Sequence, residues 1–303
     1  MLDLHIHTTA SDGTLAPTQV VRLGKEQGFS LLAVTDHDTM DGVAEALAEG
    51  ARSGVQVLPG VEISSGVSLE VHMLGYGMSP DHPVMRAMLE DMRNARVERM
   101  HRIIENLQGL GIPIAVEEVE ALAGGAIGRP HIARVLVQHG VVPDVRTAFR
   151  EYIGLGARAY AERRKMTSEA VIRNIRAAGG VPVLAHGGLL KLNELELERW
   201  IRSMCDKGLM GLECYHNAHT PQTEEFLRRM AQRYGLLVTG GSDFHGATRP
   251  DVTLGTGLAR WKDAEECAAR LCEAVEAAQK SEAQDAAVSH GGTGFAQRHG
   301  NMV

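Results

Sequence analysis

The sequence has few cysteines, no long apolar run and no excess of basic residues, and each absence excludes a class of protein. Its four cysteines, Cys205, Cys214, Cys267 and Cys272, show no CxxC pairing, which indicates free thiols rather than disulfides or a zinc knuckle. No apolar run reaches the roughly 18 residues of a membrane-spanning helix. Because Met1 leads directly into a strand-like segment without the regions of a signal peptide, we expect a cytoplasmic protein that does not bind membranes.

The net charge of -7 argues against a broad basic surface for duplex nucleic acid. A local basic pocket that binds a phosphate is still compatible with this charge. Any nucleic-acid ligand is therefore expected to be small or single-stranded.

Short apolar runs alternate with helical patterns of ten or more residues, which is typical of parallel β/α units. Strands are predicted near residues 2–6, 31–35, 56–58, 71–76, 181–185, 211–214 and 237–239, and helices near 17–27, 42–53, 168–178, 194–206 and 221–234. A barrel of β/α units is the simplest way to close such a series. The fold class is therefore α/β.

Two stretches interrupt this alternation. Residues 78–165 carry apolar side chains at helical spacing without an intervening strand, which predicts a helical subdomain inserted into a barrel formed by 1–77 and 166–279. Residues 280–303 are polar and glycine-rich without a period, and we expect them to be a disordered tail.

Histidines and carboxylates follow or lie within nearly every predicted strand. The quoted segments are DLHIH and SDG, TDHD, PGVEIS, EVHMLGYG, VLAHGG, ECYHNAH and GSDFH. In a β/α barrel the carboxyl ends of the strands converge on one face, where the active sites of this architecture lie. The scattered polar residues should therefore form one cluster.

The composition of this cluster predicts a metal site. A single histidine beside an apolar strand is usually a core residue, but many imidazoles and carboxylates buried together are costly unless metal ions organise them. Alternation places His5 and His7 on one face of a strand, and Asp243 and His245 repeat this spacing. Mixed imidazole and carboxylate ligands favour Zn, Mn or Fe over Ca or Mg.

The charge of such a site indicates its substrate. Three divalent ions would bring about six positive charges against the three negative charges of Asp12, Glu62 and Asp243. A phosphorylated substrate would compensate the excess.

These motifs, in this order, resemble those of the PHP (polymerase and histidinol phosphatase) family over about residues 1–77 and 166–258. The resemblance implies a distorted seven-stranded (β/α)7 barrel with two to three divalent transition-metal ions. It implies three ligand sets, namely His5, His7, Glu62 and Asp243; Asp12, His37 and His245; and Glu62, His72 and His186. By the same resemblance, Asp3 and Asp36 would orient imidazoles from outside these sets.

The inserted segment GRPHIARVLV is similar to that of a PHP subgroup that acts on AMP, on nucleoside 3′,5′-bisphosphates or on the 5′ ends of short RNA. There, Arg129 and His131 would lie at a helix start and bind a phosphate. The alternative is that Arg129 only caps the insert against the barrel.

One motif departs from the subgroup pattern, because AHGGLLKL stands where AHPGR is usual. His186 is present, the arginine is missing, and Lys191 is a candidate replacement that lacks a two-point fork. His216 and His219 are further candidates for substrate contact, with outer-sphere or surface roles as alternatives. The series from Arg93 to Arg102 is expected to be a solvated helix face.

We predict a hydrolase of phosphoric esters in which hydroxide held between two metals attacks phosphorus. Its catalytic residues would be Asp12, His37, Asp243, His245 and Arg129. The alternatives are a histidinol phosphate phosphatase and a non-catalytic metal-binding PHP module.

Overall fold

A computed structural model of the chain describes residues 1–66, 69–123 and 125–291, and its centre is a seven-stranded barrel. The strands are β1 (Leu2–Ile6), β2 (Leu31–Val34), β3 (Gln56–Ser65), β4 (Val71–Tyr76), β5 (Val181–Leu184), β6 (Gly211–His216) and β7 (Leu237–Gly241). They follow one another around the sheet in sequence order. The barrel nearly closes where the N–H of Asp243 donates to the carbonyl of His5 and that of His7 to Phe244, both at 2.9 Å. The expected α/β barrel is confirmed.

The seam between β7 and β1 depends on a glycine. A Cβ added to Gly241 would lie 2.1 Å from the Cβ of His5, so no other residue fits without displacing β1. This close approach brings the end of β7 against the strand that carries His5 and His7.

Ten α-helices are found in the described part of the chain. They are α1 (Pro17–Glu26), α2 (Val43–Ser53), α3 (Pro83–Gly109), α4 (Val116–Leu122), α5 (Arg129–Gln138), α6 (Val145–Ala148), α7 (Ser168–Ala177), α8 (Glu194–Cys205), α9 (Pro221–Tyr234) and α10 (Ala264–Gly291). A π-helical turn, Phe149–Ile153, continues α6. None of the described helices is long and apolar enough to cross a membrane.

The expectation of uniformly parallel strands is wrong for β4. This strand pairs antiparallel with both β3 and β5, because β3 and β4 form a hairpin rather than a β/α unit. The hairpin also explains why β3 extends to Ser65, well beyond the predicted strand. Because β4 is reversed, His72 near its start lies at the same edge as the carboxyl ends of the other strands.

Between β4 and α7 the described chain forms helices and connecting loops without a strand. Near its start, α3 packs against the barrel core through Met85, Met88 and Met92. Further along, Ile103 and Leu107 belong to a separate apolar cluster shared with α5. Helix α3 therefore connects the barrel to a second core.

The expected disorder from residue 280 is wrong for residues 280–291, which form the end of α10. Alanine and glutamine predominate in AQKSEAQDAA and favour helix despite its weak apolar period. Residues 292–303 lie outside the described part of the chain.

Candidate active site

The nine residues expected to bind metal are brought together at one edge of the barrel. Three backbone positions at this edge are unusual, since Asp38, His186 and Asp243 have φ values of 53°, 29° and 54°. Within the described residues they are the only non-glycine residues with positive φ. Such conformations concentrate at functional sites, where the surrounding structure enforces them.

The first set of donors combines β1, β3 and the end of β7. The Nε2 atoms of His5 and His7 lie 3.1 Å apart, and each lies 3.2 Å from Oε2 of Glu62. Oδ1 of Asp243 lies 3.2 Å from Nε2 of His7. One donor atom from each residue falls within 4.8 Å of all the others, so a single ion can contact all four.

The second set lies beside it and includes one residue more than expected. Nε2 of His245 lies 3.3 Å from Oδ1 of Asp12, and His37 completes the expected three. His7 also contributes to this group. The two sets therefore share an imidazole.

The third set is centred on the other oxygen of Glu62. Nδ1 of His72 and Nε2 of His186 each lie 2.8 Å from Oε1 of this carboxylate. Donor atoms of His37, Glu62 and His72 also lie within 4.8 Å of one another. Glu62 thus contacts all three donor sets.

Several buried atoms in the cluster lack hydrogen bonds and fit a metal site. Among the described residues, His7 Nδ1, His37 Nδ1 and Glu62 Oε2 are buried without a hydrogen-bond partner. The last two lie 2.9 Å apart, but their alignment is not that of a hydrogen bond. Buried polar atoms normally have partners, and divalent ions would satisfy these donors.

Two ligands of the cluster, Glu62 and His37, are already deprotonated, as metal binding requires. Burial raises the pKa of the Glu62 carboxyl, but the neighbouring His37 and His5 outweigh it and hold the pKa well below its usual value. Burial lowers the pKa of His37 to about 4, so its imidazole is neutral at pH 7. At His7, by contrast, burial is outweighed by Asp243 and Glu62, which raise its pKa to about 9.

A carboxylate that the sequence analysis did not select orients two of the ligands. Oε1 of Glu213 accepts from Nδ1 of His5 at 3.0 Å, and Oε2 accepts from the backbone N–H of His186 at 2.6 Å. Its place among the strand-end carboxylates was the only signal for it. Asp3 and Asp36 were expected to orient imidazoles, but their described contacts are to backbone N–H groups and hydroxyls.

Two arginines of α3 are buried, which corrects the expectation of a solvated face. Arg96 Nε donates to Oδ2 of Asp38 at 2.7 Å, and Arg163 Nη1 donates to the same oxygen at 2.5 Å. Oδ1 of Asp38 accepts from the backbone N–H of Ser64 at 2.8 Å. Arg96 of α3 and Arg163 therefore share the carboxylate of Asp38, the residue that directly follows His37 in the chain.

Arg99 lies beside this pair without a partner of its own. It is 8% exposed and makes no hydrogen bond or ion pair within the described part of the chain. Burial and the adjacent Arg96, Arg129 and Arg163 lower its pKa to about 8. We call these four residues the arginine cluster. Three buried guanidiniums and the half-buried one of Arg129, with the carboxylate of Asp38 between two of them, are suited to binding an anion.

Arg129 begins α5, as the sequence predicts, with Gly128 as N-cap. Its Nη1 donates to the carbonyl of Ile153 at 3.4 Å, and its guanidinium lies 5.4 Å from the ring centroid of Phe149. Nδ1 of His131 accepts from the N–H of Gly128, so only its other nitrogen is available to a ligand. These contacts hold the start of α5 in position.

The remaining predicted substrate contacts differ in their surroundings. His216 is buried, with Nε2 at 3.4 Å from Oδ2 of Asp243. Both nitrogens of His219 are engaged, since Nδ1 donates to Cys214 O and Nε2 accepts from Gly188 N–H. Lys191 is exposed on the loop after β5 and makes no ion pair within the described residues.

The comparisons with known proteins agree with this site. Residues 3–281 match the PHP domain model. The chain is 36% identical to the 3′,5′-nucleoside bisphosphate phosphatase of Chromobacterium violaceum, with 80% of this chain and 87% of that protein covered. It is also 36% identical to the 5′-3′ exoribonuclease Rnm of Escherichia coli, with 84% and 88% covered.

A solved structure from Bifidobacterium adolescentis, described as a metal-dependent phosphoesterase, has the same fold. Its TM-score is 0.82 at 33% identity, and the match covers 90% of this chain and 96% of that one. These relatives confirm the expected class, hydrolases of phosphoric ester bonds. The chain belongs to the PHP domain family.

Proposed function

We propose that this protein hydrolyses phosphate esters of nucleotides, namely AMP or 3′,5′-bisphosphates, or the 5′ ends of short RNA. The observation that carries this proposal is the convergence of nine donors into three sets around Glu62. Two or three ions of Mn, Zn or Fe suit the mixture of imidazole and carboxylate ligands. When bound, such ions lower the pKa of water and polarise a phosphoryl oxygen.

The residues of the chain would divide the remaining work. Asp12, His37, Asp243 and His245 act as ligands, and Glu213 keeps His5 in one tautomer and orientation. Arg129 lies at the start of α5, where a guanidinium and backbone N–H groups can bind phosphoryl oxygens.

The arginine cluster supports a substrate with more than one phosphate. A single phosphoryl group at the metal centre leaves the charge of Arg99 uncompensated, whereas a second phosphate would neutralise it. A 3′,5′-bisphosphate or a 5′-phosphorylated RNA provides two phosphates, and AMP provides one. Arg99 therefore favours the first two substrates.

The net charge of -7 supports small or single-stranded ligands rather than duplex nucleic acid. Cysteines 205, 214, 267 and 272 are free thiols, which is typical of the cytoplasm, where we place the protein.

A substrate panel tests the proposal. The protein is reconstituted with Mn, Fe or Zn and assayed with adenosine 3′,5′-bisphosphate, AMP, 5′-phosphorylated short RNA and histidinol phosphate. We expect turnover of the bisphosphate or the RNA, its loss with a chelator and in Asp243→Ala, and its retention in Asp263→Ala, whose carboxylate pairs with Arg228 instead. Preference for histidinol phosphate would contradict the substrate class, and inactivity on the whole panel would contradict the enzyme.

A further inference from the structure

Arg249 is a basic residue at the metal centre that the site described so far does not use. It follows a short 3₁₀ turn, Gly246–Thr248, after β7. This turn is fixed to the loop that carries Asp12, because Ala247 N–H donates to Oγ1 of Thr14 at 2.8 Å. The side chain of Arg249 is 46% exposed, and its Nη1 contacts Oδ2 of Asp243.

The two oxygens of Asp243 have different environments. Oδ1 faces the imidazoles of the metal centre, at 3.2 Å from Nε2 of His7 and 3.5 Å from Nδ1 of His245. Oδ2 faces away from them, toward Nε2 of His216 and the guanidinium of Arg249. Oδ1 is thus available to a metal ion, whereas Oδ2 already contacts a cation.

We propose that Arg249 is a positioning residue that keeps Oδ2 of Asp243 outside the metal centre and thereby weakens metal binding. This inference rests on the proposed metal centre. A guanidinium in contact with a carboxylate withdraws part of the charge that a divalent ion would use, and it also repels that ion. In return, only Oδ1 is presented to the imidazoles. The contact therefore fixes the ligand geometry and lowers the affinity for metal.

The contact differs in this respect from an ordinary surface ion pair. The chain contains a matched example, in which Nε of Arg22 donates to the buried Glu49 at 3.0 Å. Arg22 has a side-chain exposure of 55% and Glu49 of 7%, against 46% for Arg249 and 6% for Asp243. The two pairs are alike in exposure, although Glu49 also pairs with Arg52, and only Arg249 contacts a carboxylate of the candidate metal centre.

The experiment measures Mn²⁺ affinity by calorimetry and by competition with a chelator, in wild type, R249Q, R249A, R249K and the control R22Q. We expect both neutral variants at position 249 to bind Mn²⁺ about tenfold more tightly, because the repulsion between two nearby cations is removed. R249K keeps the charge and should resemble wild type. R22Q loses the same net charge and should also resemble wild type.

Each alternative result shows whether the role of Arg249 or the proposed metal centre is wrong. Unchanged or weaker Mn²⁺ binding in R249Q and R249A overturns the role of Arg249, while the proposed metal centre stands because wild type still binds Mn²⁺. Equal tightening in R22Q also overturns it, since the effect would then come from net charge. If wild type binds no Mn²⁺, Fe²⁺ or Zn²⁺, the metal centre and this inference fail together. Thermal unfolding of the metal-free variants verifies that each is folded.

Discussion

The nine candidate metal ligands, which we call the metal-ligand cluster, lie next to the arginine cluster. The charges of the two clusters are organised in opposite ways. In the first, carboxylates such as Glu62 are surrounded by imidazoles whose nitrogen atoms converge, and three buried atoms of the group have no hydrogen-bond partner. In the second, guanidiniums outnumber the single carboxylate of Asp38. Cations would complete the first arrangement, and anions would complete the second. A phosphate ester bound to divalent metal would satisfy both.

The two clusters are joined through consecutive residues. His37 belongs to the metal-ligand cluster, and Asp38 points to the arginines with a φ of 53°. This backbone conformation lets neighbouring side chains serve different ligands. Each cluster can therefore be altered separately, and the expected effects differ in size and kind.

The largest effect is expected from Glu62→Gln, which removes the charge of a carboxylate that belongs to two donor sets and contacts His37 of the remaining set. Because the amide keeps the size of the side chain but is a poor metal ligand, turnover should fall by about three orders of magnitude or more. Metal content, measured by elemental analysis, should fall with it. The control is Glu49→Gln, a buried carboxylate far from the donors. Near-normal turnover in Glu62→Gln would show that the three sets are not one centre.

Asp38→Asn should have the next largest effect, this time on stability. Removing the only carboxylate from the arginine cluster leaves buried cations uncompensated, which should cost about 3 kcal/mol in the free energy of unfolding. Urea unfolding at pH 7 measures this cost. Added sulfate should restore part of it in Asp38→Asn and change wild type less. A loss that sulfate does not reduce would argue against an anion site.

Arg99→Met should lower function while raising stability. The loss of one charged hydrogen-bond donor should weaken transition-state binding of a 3′,5′-bisphosphate by about 2 kcal/mol, which lowers its kcat/KM roughly 30-fold. The kcat/KM for AMP should fall less. The ligand-free protein should melt at a higher temperature, since an unpaired buried cation is removed. Arg86→Met, at an exposed position of the same helix, is the control. Equal losses on both substrates would assign Arg99 to packing rather than to a second phosphate.

The smallest effect concerns pH and His131. An unfolded histidine binds a proton near pH 6.5, whereas burial lowers the pKa of His131 to about 4. The stability from its neutral form is therefore present above pH 6.5 and is lost as the pH falls toward 4. Between pH 7 and 5, wild type should lose about 1–2 kcal/mol more than His131→Gln, which can keep the cap on Gly128 N–H. Urea unfolding of both proteins at pH 7 and pH 5 measures these losses in the free energy of unfolding. An equal loss in the two proteins would contradict the prediction.

The sequence predicts the metal centre better than the anion site, for a physical reason. Alternation in β1 places His5 and His7 on one face whatever the neighbouring strands do. The direction of β4 depends instead on a hairpin, and no local pattern distinguishes it from a parallel strand. His72 was still identified through the resemblance of its motif to the family pattern, and the reversal of β4 places it at the same edge as the other candidate ligands.

The arginine cluster could not be predicted from helical periodicity. Positions 93, 96, 99 and 102 of α3 have the spacing of an exposed stripe, and only the packing of the insert on the barrel buries Arg96 and Arg99. The partner of Arg96, Asp38, lies more than fifty residues earlier in the chain. Glu213 was missed for a similar reason, because its contact with His5 joins residues 208 positions apart in the sequence.

The reversed strand has a consequence for how the insert joins the barrel. Tyr76 at the end of β4 is the register partner of Val181 at the start of β5, so residues 77 to 180 leave and re-enter the sheet at one point. Paired antiparallel residues lie only about 5 Å apart, a gap that a tight turn can bridge. The pairing of β4 with β5 therefore closes this edge of the sheet whatever the length of the segment between the two strands. The part of that segment outside the barrel core could change in length and sequence, and with it the ligand, without separating the two strands.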